Sequence, residues 1–224
     1  MRVLRLGIVG LGRGAVLTVP AFAAHPHIGI VGGCDPNAEA RAGFAAQTGA
    51  RSHADLETLL GDPEIDAVYI ASPHEFHAGH TVAAARAGKH VLVEKPMAVT
   101  RGDGARMVEA ARAAGTVLMG GPSHGYDAPV ALAADLIADG TAGAARMIHA
   151  FAYTDFLYRP RRPAELLRAE GGGVVLSQGS HQVDVVRRLA DSPVKSVRAW
   201  VGDWDAARRG DGAFAALLTF ESGA

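Results

Sequence analysis

Two short stretches of this sequence hold residue types at a spacing that could do chemistry. Gly10-Leu11-Gly12-Arg13-Gly14-Ala15 lies between an apolar strand-like run and a helical one, and fits a G-x-G-x-x-A pattern. In such a run Gly10 permits a tight turn, Gly12 lets backbone approach a pyrophosphate, and small Ala15 allows close helix–strand packing. Asp35 closes the second strand-like run, 20 residues after Ala15. A carboxylate there accepts hydrogen bonds from the adenosine ribose and repels a 2′-phosphate, which favours NAD over NADP. Arg13 points the other way, because a guanidinium in the loop can hold that phosphate. The plain alternative for Asp35 is a turn-forming aspartate before Pro36. The second stretch is Glu94-Lys95-Pro96, which ends the apolar run His90-Val91-Leu92-Val93. Proline fixes its own backbone and restricts the residue before it, so Lys95 is held stiffly at a strand end. Strand ends of open α/β sheets are where ligands bind.

These residues need elements to position them. Leu4–Val9, Ile28–Cys34, Ala67–Ala71, His90–Val93 and Val117–Met119 read as strands. Helical stretches fall between them, at about Ala15–Ala24, Ala38–Thr48, Leu56–Leu60, His77–Ala87 and Gly104–Ala114. That alternation predicts βαβ units and a parallel, doubly wound sheet of Rossmann type over residues 1–121. A boundary is expected at Gly120-Gly121-Pro122. Residues 122–224 are expected to form an α+β second domain with an open sheet. Its elements are a helix over Ala128–Ala138, strands over Met147–Tyr153, Val194–Val201 and Ala213–Phe220, and a helix that follows Gly171–Gly173 and ends near Ala190. The last strand is expected to leave an apolar edge unpaired, as in a domain cut short at its C-terminus.

Composition narrows the function classes. With 224 residues, 49% of them apolar, the chain can bury a real core. A formal net charge of -1 gives no electrostatic reason to expect nucleic acid or an anionic membrane. Cys34 is the lone cysteine, so there is no disulfide framework and no cysteine metal cluster. The sequence contains no apolar stretch of membrane-spanning length and no secretory leader pattern at its start, so a cytoplasmic protein is expected. His74, His77 and His80 are spaced by three, yet His74 and His80 diverge around a helix and nothing completes a metal set, so no metal is expected. Arg159, Arg161 and Arg162 cluster in a loop that could grip a substrate carboxylate; the plainer alternative is a solvated loop.

The glycine loop, Asp35 and Glu94-Lys95-Pro96 together resemble the glucose–fructose oxidoreductase/inositol dehydrogenase/MocA family. Ala71-Ser72-Pro73-His74-Glu75-Phe76-His77, Ala87-Gly88-Lys89-His90-Val91 and the glycine run followed by His181 and Asp184 extend the resemblance over the chain. The stretch from Val174 to Asp184, with His124-Gly125-Tyr126-Asp127-Ala128-Pro129 and Gly202-Asp203-Trp204-Asp205, is most similar to the phthalate 4,5-cis-dihydrodiol dehydrogenases of that family. The resemblance implies an NAD(P)-dependent dehydrogenase acting on a small molecule, forming a homo-oligomer when full length. It places Gly10, Gly12, Arg13, Gly14, Ala15, Asp35, Ser72, Pro73, His77, Glu94, Lys95 and Pro96 at the cofactor. It makes Lys95 and His181 catalytic. On the substrate side, His124, Tyr126, Arg159, Arg161, Ser177 and Asp184 are the candidates. Lysine can hold an alcohol oxygen and histidine can take its proton. Ser177 stands where many members carry aspartate, one helical turn before His181, and Gly125 where arginine is frequent in sugar-oxidising members. Both departures favour an aromatic cis-dihydrodiol, oxidised to a catechol, over a sugar or inositol. Members usually exceed 300 residues, so a catalytically inert, dinucleotide-binding fragment is the alternative from another class.

Overall fold

The structure, a computed structural model, describes residues 2–167, 171–202, 205, 207 and 210–224. It divides into two compact units, Met1–Gly121 and Pro122–Ala224.

In the first unit six strands, β1 (Leu4–Val9), β2 (Ile28–Cys34), β3 (Arg51–His53), β4 (Ala67–Ile70), β5 (His90–Val93) and β6 (Leu118–Gly120), form one sheet in the order β3-β2-β1-β4-β5-β6. Every pair in it is parallel. The order reverses between β1 and β4, which is the switch point of a doubly wound sheet. Successive side chains of a strand point to opposite faces, and here both faces are covered. Leu6, Ile8, Ala67 and Tyr69 join Ala15 and Val19 of α1 (Arg13–Ala24) and Phe44 of α2 (Ala38–Thr48) in one core cluster. Val9, Val68, Ile70, Val91 and Val93 pack on the other face with Leu59 of α3 (Leu56–Leu60), Ala84 of α4 (His77–Arg86) and Met107 of α5 (Arg101–Ala114). Burial on both faces explains why these strands read as unbroken apolar runs.

Helix ends follow the sequence closely. Asn37 caps α2 by accepting from the Glu39 and Ala40 amides, and Thr100 caps α5 by accepting from the Asp103 amide. Both helices stop at left-handed glycines, Gly49 and Gly115. Helix α1 differs: its N-cap is Gly12, no side chain caps it, and its first turn holds no acidic residue.

The second unit contains α6 (Ala128–Ala138), a π-helical turn at Val175–Gly179, α7 (Ser180–Ala190), and the antiparallel pair β7 (Val194–Gly202) and β8 (Ala213–Phe220). Its core cluster of Phe156, Leu157 and Val174, packed with Leu166, Val175 and Phe214, is small. Residues 147–153, expected as a strand, form none. A strand exists only with a ladder partner, and here a groove of about 690 Å³ lies between this segment and β8. Met147, Phe151 and Tyr153 are consequently exposed at 76%, 76% and 91%. Among the described residues β8 pairs only with β7, so its second edge stays open as expected. Asp203 and Trp204, singled out above, lie outside the described residues.

Candidate functional site

The chemistry-bearing residues of the first unit converge on one edge of its sheet. Gly10 follows β1, Asp35 follows β2, Ser72 follows β4, and Glu94-Lys95 follows β5, all at the C-terminal ends of parallel strands. Gly10 has φ +85° and a methyl there would meet the Ser72 amide nitrogen at 2.6 Å, so only glycine lets the β1 and β4 loops come this close. Gly12 is the opposite case. A methyl on it would meet no atom within 4 Å, and the space it faces is open at the uncapped start of α1. A helix N-terminus with its first-turn amides uncapped, approached across a bare backbone, suits a phosphate-bearing group.

Asp35 is half-buried and tied to that loop. Its Oδ2 accepts from the Leu11 amide at 2.9 Å and its Oδ1 from the Asn37 amide at 2.8 Å. A carboxylate has about four acceptor positions, so capacity remains for ribose hydroxyls. Arg13 is exposed. The open backbone at Gly12, the uncapped start of α1 and the spare acceptor capacity of Asp35 therefore fit a dinucleotide.

Around Lys95 the structure reveals a hydrogen-bond relay. The Tyr69 phenol donates to Glu94 Oε1 at 2.6 Å, and Glu94 Oε2 accepts from the Lys95 amide at 3.0 Å. Thr18 on α1 donates to the Gly14 carbonyl and shares a 3.1 Å contact with the Tyr69 hydroxyl. Burial, together with the charge of Glu94, pushes the Tyr69 phenol well above its ordinary range, so it remains a neutral donor. The Lys95–Pro96 peptide bond is cis. Tyr69 and Thr18 were missed from sequence. The available signal was a phenol inside the otherwise aliphatic run Ala67-Val68-Tyr69-Ile70, since a buried tyrosine needs a partner for its hydroxyl.

Ser72 is buried, and its Oγ lies 3.0 Å from His80 Nδ1. Burial, aided by the neighbouring His77, lowers the His80 pKa. His77 was expected to touch the cofactor, and the structure corrects this. It is fully buried, with Nε2 at 2.8 Å from the Ser72 carbonyl and Nδ1 at 2.9 Å from the Pro96 carbonyl. Both ring nitrogens are engaged by backbone beneath the loops, so neither reaches a ligand.

In the second unit His181 is half-buried in the first turn of α7, directly after the π-helical turn that carries Ser177. Its ring packs on that of His124 with centroids 4.4 Å apart, and His124 Nδ1 contacts Asp127 Oδ2 at 2.9 Å. Ser177 is buried, and its Oγ accepts from the Gln178 side chain. The carboxylate of Asp184 fills the space where a side chain at position 125 would begin, which explains Gly125 there. The Arg188 guanidinium lies 5.1 Å above the ring of Tyr126. The glycine run has a structural reason: a methyl on Gly172 would meet the Ala164 carbonyl oxygen at 2.5 Å, and one on Gly173, at φ +89°, would meet Asp211 Oδ2 at 2.9 Å.

The arginine loop is also corrected. Arg161 stacks 4.1 Å over Phe156, donates to the Phe156 carbonyl at 3.0 Å and pairs with Glu165, with only 10% of its side chain exposed. It braces its own loop rather than offering a free guanidinium. Arg159 is half-exposed and pairs with Asp155, and Arg162 lies beside Glu165. Among the described residues no group of three or more His, Cys, Asp or Glu could hold a metal, and no helix is long and apolar enough to cross a membrane.

A parallel sheet in this strand order, with a glycine loop at its switch point and an acidic residue ending β2, defines a dinucleotide-binding α/β protein. Residues 4–121 match the model of the oxidoreductase family with an NAD-binding Rossmann fold, and residues 130–224 match the GFO/IDH/MocA C-terminal domain. The chain belongs to the GFO/IDH/MocA family. It is 47% identical, over 98% of its length, to a 1-carboxy-3-chloro-3,4-dihydroxycyclo hexa-1,5-diene dehydrogenase of Comamonas testosteroni. It is 41% identical over 75% of its length to a 1,5-anhydro-D-fructose reductase of Ensifer adhaerens. A solved structure of a protein from Bordetella bronchiseptica RB50, described as a dehydrogenase, superposes over 100% of the chain with TM-score 0.96 and 42% identity. The WlbA dehydrogenase from Bordetella pertussis, solved with NADH and UDP-GlcNAcA, superposes over 100% with TM-score 0.88 and 32% identity. The chain spans 56% and 51% of the two curated relatives and 59% and 65% of the two solved chains.

Proposed function

We propose that this chain is the cofactor-binding part and a portion of the substrate domain of an NAD-dependent dehydrogenase that oxidises a cyclic diol. The preferred substrate is a carboxylated aromatic cis-dihydrodiol, which becomes a catechol. The observation that carries this is the convergence on one sheet edge of the bare Gly12 backbone, the Asp35 carboxylate and Lys95. The nicotinamide supplies a hydride acceptor when bound. The glycine loop holds the pyrophosphate through backbone amides, and Asp35 accepts from the ribose and disfavours a 2′-phosphate. Lys95 binds the reacting hydroxyl oxygen and stabilises charge that develops on it. His181 takes the hydroxyl proton as general base. The carbon–hydrogen bond breaks with its electron pair leaving as hydride, and the ketone left on the ring tautomerises to the catechol.

The name of the Comamonas testosteroni relative, a carboxylated dihydroxycyclohexadiene dehydrogenase, favours this substrate class. Arg161 is committed to its loop, whereas Arg159 and Arg162 are half-exposed and would have to exchange Asp155 and Glu165 for a substrate carboxylate. Sugar or inositol oxidation is the second reading, favoured by the Ensifer adhaerens relative. The test is growth of NADH absorbance with carboxylated cis-dihydrodiols, neutral diols, inositols and aldoses, using the chain alone and joined to the C-terminal remainder of a relative. The proposal predicts turnover of a dihydrodiol, abolished in Lys95→Ala. Exclusive turnover of sugars would move the substrate assignment, and tight NAD binding without turnover in any form would mark a binding module.

A further inference from the structure

His77 opens α4 and is sealed from solvent, with each ring nitrogen within 2.9 Å of a backbone carbonyl oxygen. A carbonyl oxygen only accepts. Neutral imidazole carries one N–H and one bare lone pair, so one of these two contacts would set lone pair against lone pair where no water can intervene. Only the doubly protonated ring satisfies both. We propose that His77 is a buried imidazolium strut that joins the loop after β4 to the segment after β5, and so acts as a positioning residue for Lys95. The positioning part rests on the reading of Lys95 as the residue that meets substrate.

Topology shows why a strut is placed here. The ladder between β4 and β5 ends at Ile70 and Val93, with the Glu94 amide donating to the Ile70 carbonyl at 2.9 Å. Past that bond the two backbones separate, and Ser72 and Pro96 are the residues whose carbonyls His77 bridges. Lys95 is thereby bracketed. The relay from Tyr69 holds Glu94 before it, and His77 holds Pro96 after it.

The electrostatic surroundings are mixed. Burial and a helix N-terminus both oppose a cation, whereas two carbonyl dipoles aimed at the ring favour it. On its own side of the fold His77 neighbours two other bases, His74 with ring centroids 5.6 Å away and His80 further along α4. The segment after β5 contributes Glu94 and Lys95 on the other side of Pro96. The ionisable side chain of β4, Tyr69, belongs to the cluster on the opposite sheet face, and α5 adds apolar Met107 to the cluster that holds Ala78.

The deciding experiment uses the whole chain labelled with nitrogen-15 in its histidine rings. Nuclear magnetic resonance is recorded well above the ordinary histidine range of about 6.5, with His77 assigned through its bonds to the backbone. Both His77 nitrogens should still carry protons there. One protonated and one bare nitrogen in His77 would overturn the imidazolium, whatever the enzyme does. A His77→Gln variant tests the positioning claim. Its Glu94 amide should exchange with solvent at least about tenfold faster, a shift that follows from loss of a local tie, while NADH affinity stays within about twofold. In a form that turns over substrate, kcat should fall by about tenfold with little change in KM for NAD. Unchanged exchange at Glu94 would refute the strut. If the wild-type protein turns over no substrate at all, the dehydrogenase reading fails while the resonance and exchange results still decide the strut.

Discussion

Replacing Gly12 and Gly10 by alanine in turn separates what the glycine loop does for the fold from what it does for a ligand. Gly12 has φ -80° and ψ -159°, an extended conformation open to any residue, and an added methyl meets nothing within 4 Å. Its replacement should leave folding stability within about 0.5 kcal/mol of wild type, as for surface changes away from special features. The same methyl occupies the open face that a pyrophosphate must approach. NADH affinity should therefore fall at least about tenfold, equivalent to about 1.4 kcal/mol. Gly10 reverses the pattern. Its φ of +85° costs alanine about 1–2 kcal/mol, and the methyl would lie 2.6 Å and 2.7 Å from Ser72 backbone atoms that cannot rotate away. A loss of about 3 kcal/mol in stability is expected from the two together. Urea unfolding followed by circular dichroism gives the stabilities, and quenching of protein fluorescence by NADH gives the affinities. A Gly12→Ala protein that binds NADH like wild type would refute the assignment of that open face to the pyrophosphate.

Three further outcomes follow from the same structure. Tyr69→Phe removes the donor to Glu94 Oε1 and should lower stability by about 1–3 kcal/mol in urea unfolding, because a half-buried carboxylate oxygen loses its partner. Cys34 is buried and its thiol is pushed up to about 12, so iodoacetamide should label it only in denaturant; fast labelling of folded protein would contradict that burial. Asp66, held by hydrogen bonds from Arg5 with Arg2 beside it, has its carboxyl pKa well below the usual range. A folded-state value below the unfolded one, about 3.9, gives stability that is present above that pH and lost as pH falls through it toward the folded value. Asp66→Asn should therefore flatten the acid limb of a stability–pH curve measured by thermal unfolding, and an unchanged limb would count against the pair.

The parallel sheet was legible because its central strands are buried on both faces and must be apolar throughout, as in Ile28–Cys34 and Ala67–Ile70. Strand β3 was not legible. Arg51-Ser52-His53 is a three-residue edge strand with no apolar pattern, held by its pairing with β2. Met147–Tyr153 failed for the converse reason, since alternation supplies propensity but no ladder partner. The placing of the glycine loop, Asp35 and Lys95 at strand ends was readable because each is a local motif with a mechanical cause. The relay from Thr18 through Tyr69 to Glu94 joins residues 51 and 25 positions apart, and only folding brings them together. Arg161 misled because charge suggested a ligand, whereas its guanidinium lies flat on Phe156 and shares its charge with Glu165.

The central claim is that the loop from Gly10 to Ala15, with Asp35, holds a nicotinamide dinucleotide so that Lys95 can meet a substrate. An equilibrium titration of NADH and NADPH against the wild-type chain, repeated with Asp35→Ala, tests it most directly. The account predicts saturable binding of one NADH per chain, weaker NADPH, and a preference that narrows or reverses without the Asp35 carboxylate. Absence of saturable NADH binding, or a preference for NADPH that ignores Asp35, would contradict it.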